Sequence, residues 1–291
     1  MIWFILVITA VVFVVIETIL EKKALSDART FNFTAMFAFG NAIISIPLLL
    51  VADLTLINWQ ILILIYIASV FSTITSLLIF KVIKHESISE VAPILAILPL
   101  VVSLFAYLIL GETLSLFQTS GLILMVGGIL ILEFSNYKYS NGIFRKGRKK
   151  YILYIILSLI LGAIGAIFDK ALLSNFNVNP LAYLALIQLF IGINYIFFIG
   201  IKPKLFPSFK SDLSRYWLII ILIALSVVFH RYLYLSAIKI AASVGLVVAV
   251  FKLSALFNVF VGRKFFAETD ILKKVLATFV VLAGLFMLIL N

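Results

Sequence analysis

The chain has no cysteine and only two histidines, and just 12% of its residues are charged. Without cysteine there can be no disulfide, no thiolate nucleophile and no cysteine-ligated metal. Two histidines and scattered carboxylates do not supply the clustered acid–base or metal set that an intramembrane enzyme needs. No enzymatic activity, cofactor or metal is therefore expected. A Gly-rich phosphate loop of the Walker type is also missing, which excludes direct use of ATP. Soluble domains are roughly a quarter charged and about half apolar, whereas this chain is 65% hydrophobic with a mean hydropathy of +1.27. A soluble two-domain enzyme and a disordered chain are both excluded. The formal net charge of +11 could suggest nucleic acid, but the basic residues fall in short gaps between apolar runs, where a membrane protein needs them. The expected surroundings are a lipid bilayer, with no nucleic-acid partner.

A membrane-crossing helix takes roughly 20 apolar residues. The 291 residues contain ten such stretches, at 1–20, 33–52, 58–80, 89–110, 113–133, 151–173, 179–201, 216–238, 241–262 and 270–290. They are continuous rather than alternating, so they read as helices and not as barrel strands. The first begins at Met1 without a basic leader and lacks a small-residue cleavage site, which predicts an uncleaved span. Pro180 opens the seventh run at a position proline tolerates. Pro47, Pro93 and Pro99 fall inside runs, where they are expected to bend helices.

Lysine and arginine set the expected topology. Of the 23 such residues, nineteen lie in the gaps after runs one, three, five, seven and nine or at the adjoining run ends, and only Lys170 and Lys239 on the other side. The remaining two, Arg231 and Lys252, lie deep inside runs. This positive-inside bias predicts a multi-pass protein of the cell membrane with cytoplasmic basic loops and both termini outside. The longest gap, 134–150, ends in a basic cluster from Arg145 to Lys150. It reads as a linker and topology anchor, although such a cluster can also bind anionic headgroups.

The halves on either side of that linker repeat. Glu21, Lys22, Lys23, Ala24, Leu25 and Ser26 correspond to Asp169, Lys170, Ala171, Leu172, Leu173 and Ser174, at an offset of 148. Ile83 and Lys84 correspond to Ile238 and Lys239, and Gly111-Glu112-Thr113 to Ala267-Glu268-Thr269. Each match is weak alone, but three in one order at similar offsets form a pattern. With five runs per half, the second half must enter the membrane inverted. The expected fold is all-α and integral to the membrane, with ten transmembrane helices as two inverted five-helix repeats at 1–133 and 151–291. Inverted repeats argue for a transporter with a midplane site and alternating access.

Pro99, followed by Gly111-Glu112-Thr113, Gly121 and the Gly127-Gly128 pair, resembles the end of an EamA-type half of the drug/metabolite transporter superfamily. In the second half, the stretch from Phe251 to Phe257, then Phe265, Phe266, Ala267 and Glu268, is similar to that family's ninth helix and its closing acidic residue. Asp169-Lys170-Ala171-Leu172 is similar to the end of its sixth helix. The resemblance covers both halves and implies a ten-helix metabolite transporter, with export the commoner direction. Two departures stand out. Ser254-Ala255 replaces the Leu98-Pro99 pair in the second half, and the charge count places the termini outside, where many members are thought to have them inside.

Charges inside an apolar run cost roughly 2.5–3.5 kcal/mol on insertion scales and by default mark function. Lys252 is the first candidate: its ammonium would meet a substrate carboxylate or phosphate, as the resemblance to sugar-phosphate carriers also implies. The alternative is a fixed ion pair, with Glu17 as the expected partner. Arg231 offers a bidentate grip on an anion, or else a pair with Asp169 at similar depth. His230 shares a stripe with Ser226 and Tyr234 and reads as an interior hydrogen-bonded residue or a group that titrates near neutral pH. Glu17 is expected to be the proton or counter-charge site, or a helix-end carboxylate paired with Lys22. Ser69, Ser72, Thr73 and Ser76 read equally as cavity lining or helix-packing glue, and Gln188, Gly192 and Tyr195, with Asn41 and Ser45, read as cavity lining. Gly121, Gly127 and Gly128 read as close-packing positions, and Pro99 as a flexible gating point.

The expected function is secondary transport, as exporter or exchanger, of small carboxylate-bearing metabolites such as amino acids. The alternatives are a flippase for a lipid-linked substrate and a transporter of phosphorylated metabolites. Expected partners are the metabolite, the bilayer and a proton or counter-substrate, with the protein a monomer or homodimer.

Overall fold

The computed structural model describes residues 2–25, 30–83, 85, 91, 94–135, 149–205, 209–254 and 271–289. Among them regular structure is entirely helical. In chain order the helices are α1 (Ile2–Leu25), α2 (Thr30–Ser45), α3 (Trp59–Ile83), α4 (Leu98–Phe105), α5 (Leu116–Ser135), α6 (Lys149–Lys170), α7 (Pro180–Ile201), α8 (Phe209–Ile240), α9 (Val244–Phe251) and α10 (Ile271–Ile289). Among the described residues, Phe31–Leu50, Trp59–Val82, Lys150–Asn175, Pro180–Ile201 and Phe209–Ile240 are long and apolar enough to cross a membrane, and shorter apolar helices accompany them. Large side chains face outward without cover, such as Leu50 at 88% and Leu116 at 85% exposure. Hydrocarbon solvates such faces, while the helical backbone satisfies its own polar groups. Lys84, Glu90, Pro93, the cluster from Arg145 to Arg148 and the stretch from Ala255 to Asp270 lie outside the described residues, as do the side chains of Lys22 and Lys23.

Helix boundaries follow local chemistry. Asn179 accepts hydrogen bonds from the Leu181 and Ala182 N–H groups, and Pro180 occupies the first turn of α7, where a missing N–H costs nothing. Near Pro47 the α-helical ladder of α2 gives way to a 3-10 segment, Ile46–Leu50, because proline cannot donate to the carbonyl one turn back. Pro99 departs from expectation. Instead of kinking the interior of a helix, it lies in the first turn of α4, directly after a turn at 96–97. The apolar run is thus interrupted before the proline rather than bent at it. A π-helical turn, Ala106–Leu110, extends α4 and ends at Gly111, whose φ of 68° is left-handed and whose N–H donates to the Ala106 carbonyl. Glycine is the residue that takes this conformation without strain.

The chain forms two compact units, each drawing on both halves of the sequence. The first comprises residues 1–74 and 168–240, the second residues 75–167 and 241–291. These units differ from the 1–133 and 151–291 halves of the sequence repeat, because α3 and α6 each pass from one unit to the other.

In the first unit α1 lies along α8, and α2 packs on α7 and α8. Phe33 and Met36 of α2 are buried against Tyr216, Ile220, Ile223 and Val227 of α8. Ser226 donates to the Phe13 carbonyl at 3.0 Å, joining α8 to α1. In the second unit α5 and α10 approach closely. A Cβ on Gly121 would fall 2.7 Å from Met287 Cβ, and one on Gly128 would fall 2.6 Å from Val281 Cγ2. Gly127 is a correction to the expected trio, since a Cβ there would meet nothing within 4 Å. It faces away from the seam that its neighbour fills.

Candidate functional site

The first unit brings Glu17 of α1 and His230 of α8 together. Glu17 Oε2 and His230 Nδ1 are 3.0 Å apart, with side-chain exposures of 12% and 7%. Their approach lies off the hydrogen-bond axis. Glu21, one turn further along α1, is within electrostatic reach of Glu17. Glu17 is therefore neither an isolated carboxylate nor simply a helix-end residue. A carboxylate beside an imidazole can hold one proton in two arrangements, as an ion pair or as a neutral pair.

A second polar group gathers where α6, α7 and α8 meet. Asp169 is buried at 7% exposure and accepts a hydrogen bond from the Tyr183 hydroxyl at 2.5 Å. The Arg231 guanidinium acts on this carboxylate electrostatically and lies 6.0 Å from the centre of the Tyr234 ring. Asp169 is thus within electrostatic reach of Arg231, while its hydrogen bond comes from Tyr183. Nearby cations are tied to backbone: Lys170 donates to the Ile238 carbonyl at 3.0 Å, and Lys239 to those of Asn177 and Val178. Such partners are what a buried charge requires.

Of the serine and threonine stripe on α3, two members act as packing groups. Asn194 of α7 donates from Nδ2 to Ser69 Oγ at 3.1 Å and to Thr73 Oγ1 at 3.2 Å. The two hydroxyls in turn donate to carbonyls of their own helix. Ser72 and Ser76 are half-buried and take part in further polar contacts. Tyr195 is hydrogen-bonded to Thr34, so its hydroxyl joins α7 to α2. Asn41, Ser45 and Gln188 are all buried. Sequence reading alone missed the parts played by Tyr183, Thr34 and Asn194. Asn194 carried a legible signal, a carboxamide inside an apolar run.

Lys252 belongs to the second unit. It is the C-cap of α9, and its N–H donates to the Val248 and Ala249 carbonyls. Residues 252 and 253 form a turn, so the continuous apolar run expected over 241–262 is interrupted at the lysine itself. Its side chain is half-buried and engaged. At the other end of α9, Ser243 accepts from the Gly245 N–H, and Glu112 accepts from the Val244 N–H at 2.9 Å. The Gly111-Glu112-Thr113 motif thus supplies a helix cap, a role its spacing did not reveal. Gly245 lies so close to Ser103 of α4 that any Cβ would collide with its side chain.

A chain built of long apolar helices, with charged side chains placed inside them and capped breaks between them, has the features of a carrier. Residues 1–134 match the EamA-like transporter family. EamA-like proteins are membrane transporters of small molecules, and the apolar helices are those of a multi-pass membrane protein. Among solved structures, the chain is similar to one titled only as the crystal structure of a protein, with 14% identity and a TM-score of 0.77 over 98% of this chain and 96% of that one. At that identity the likeness is one of fold. No curated protein matches the sequence.

Proposed function

We propose that this EamA-like protein is a secondary transporter, an exporter or exchanger, of small carboxylate-bearing metabolites such as amino acids. It works by alternating access around a midplane site, and residues 1–133 and 151–291 act as inverted repeats joined by the 134–150 linker. The observation that carries the anionic cargo is Lys252, an ammonium at a turn that interrupts an apolar run. Breaks of this kind are where carriers build their sites, and a charge held there is expensive unless used. Lys252 binds the carboxylate. Arg231 assists while balanced by Asp169, and Asn41, Gln188, Tyr195, Ser72 and Ser76 contribute polar contacts along the path. Glu17 and His230 share the coupling proton, and Pro99 marks a flexible junction. The basic loops face the cytoplasm and the termini lie outside.

Ligand-induced thermal stabilisation of purified protein tests this reading, with anionic, zwitterionic and cationic metabolites on wild type and on Lys252→Ala. A ligand at 100 times its Kd stabilises by about 2.7 kcal/mol. The expected result is a shift with carboxylates that vanishes in the variant. A shift that survives Lys252→Ala, or one confined to cations, would make the lysine structural and remove the anionic site.

A further inference from the structure

Where the end of α3 meets the start of α6, inside the second unit, basic side chains gather on two tyrosine rings. Lys81 of α3 stands 4.6 Å over the Tyr154 ring and donates to its hydroxyl at 3.3 Å. Lys150, in the first turn of α6, lies 5.0 Å over the Tyr151 ring. His85, whose backbone N–H donates to the Val82 carbonyl, stacks on that same ring at 5.3 Å and 25°. Tyr151 and Tyr154 meet edge to face at 6.1 Å. Both pack against a buried group that includes Val82, Ile155 and Leu159. The rings are thereby fixed, while Lys81, His85 and Lys150 stay exposed.

A ring face attracts an ammonium group without neutralising its charge. Among the described residues, none of the three basic side chains meets a carboxylate. The one acidic residue on the two helices is Asp169, at the opposite end of α6. The group therefore offers N–H donors and positive charge with no anion of its own. Depth decides which anion can answer it. Lys81 is the penultimate residue of the apolar span Trp59–Val82, and Lys150 is the first of Lys150–Asn175. Both ammonium groups thus stand where a spanning helix leaves hydrocarbon for the headgroup layer. Leu153 and Leu157 follow Lys150 along one face of α6 and are 54% and 39% exposed, so apolar surface continues from the basic group into the bilayer.

We propose that Lys81, His85 and Lys150 bind the phosphate of an anionic phospholipid, with an acyl chain lying on Leu153 and Leu157. Basic pockets between membrane helices hold such headgroups. Unlike a run of basic residues in sequence, this group is assembled from two helices and positioned by two rings. It does not depend on the cargo or on Lys252.

Lipid titration in neutral detergent, read by native mass spectrometry, tests the site. The ligands are phosphatidylglycerol, phosphatidylcholine with the same chains, and glycerol phosphate as a phosphate without a tail. Wild type is compared with Lys81→Gln, Lys150→Gln, their double variant, and a linker variant carrying Arg145→Gln, Lys146→Gln and Arg148→Gln. Exposed lysine-to-glutamine changes leave the fold intact. Wild type should prefer phosphatidylglycerol, and each lysine change should weaken its binding about fivefold, the double change about 25-fold. The linker variant and Lys252→Ala should keep the preference. Equal binding of the two lipids by wild type, or a preference that survives the double variant, overturns the site. So does a preference lost in the linker variant or in Lys252→Ala, since the lipid would then be held elsewhere. Glycerol phosphate binding as tightly as phosphatidylglycerol would make the ligand a free phosphate and overturn the lipid assignment.

Discussion

Replacing Glu17 by Gln keeps the shape of the side chain and removes its charge beside His230. At an effective dielectric of about 20, opposite unit charges at the observed 3.0 Å attract by roughly 5 kcal/mol. Desolvation of both groups offsets much of that. The net loss expected for Glu17→Gln is therefore about 1–3 kcal/mol of unfolding free energy. His230→Asn should cost a similar amount. Because the two side chains meet, the double variant should cost less than the two single losses together, by about 1 kcal/mol. Unfolding in detergent micelles measures this cycle. In proteoliposomes Glu17→Gln should still exchange substrate across the membrane at equal pH, yet fail to accumulate it when a pH gradient is imposed. Additive stability losses would show that the contact contributes no coupling energy. Accumulation driven by the gradient in Glu17→Gln would remove the pair from coupling altogether.

Three further outcomes are expected. Gly128→Ala should destabilise by about 1–3 kcal/mol through overpacking, because its Cβ would fall 2.9 Å from the Val281 backbone nitrogen; Gly127→Ala should be neutral or slightly stabilising in the same melting experiment. Glu112→Ala should cost about 0.5–2 kcal/mol as a lost helix cap and speed amide hydrogen exchange at Val244, while Glu112→Gln should retain part of the protection. In the turn before α3, Thr55 donates from Oγ1 and N–H to Asp53, holding that carboxyl below its ordinary range; the small stability this provides is present above the unfolded-state value and is lost as pH falls through the depressed one. Thr55→Val should move the Asp53 titration, followed by carboxyl NMR, back toward the ordinary range.

The all-helical, membrane-type character was legible because the apolar runs are long and continuous, and among the described residues five helices are long enough to span; Pro180 with Asn179 marked the start of α7 by local chemistry alone. Pro99 was misplaced for a related reason. A proline in a long apolar run reads the same whether it kinks a helix or starts one, and only the turn at 96–97 separates the cases. Lys252 fell inside an apolar run taken as continuous over 241–262, and hydropathy has no means of foreseeing a helix that stops at Phe251. That Arg231 lies within electrostatic reach of Asp169 could be anticipated from depth. Glu17 and His230 could not be matched, since residues so far apart in sequence meet only through the packing of α1 along α8. Asn41, Ser45 and Gln188 were visible as polar residues. That Asn41 Oδ1 and Ser45 Oγ lack a hydrogen-bond partner is a property of the packed helices.

The most direct measurement is counterflow in proteoliposomes. The protein is reconstituted, the vesicles are loaded with an unlabelled amino acid or organic acid, and uptake of the labelled compound is followed for wild type and Lys252→Ala. The account predicts saturable uptake that requires internal carboxylate substrate and is lost in the variant. Uptake no faster than in protein-free vesicles across the carboxylate panel, or exchange that persists in Lys252→Ala, would contradict it.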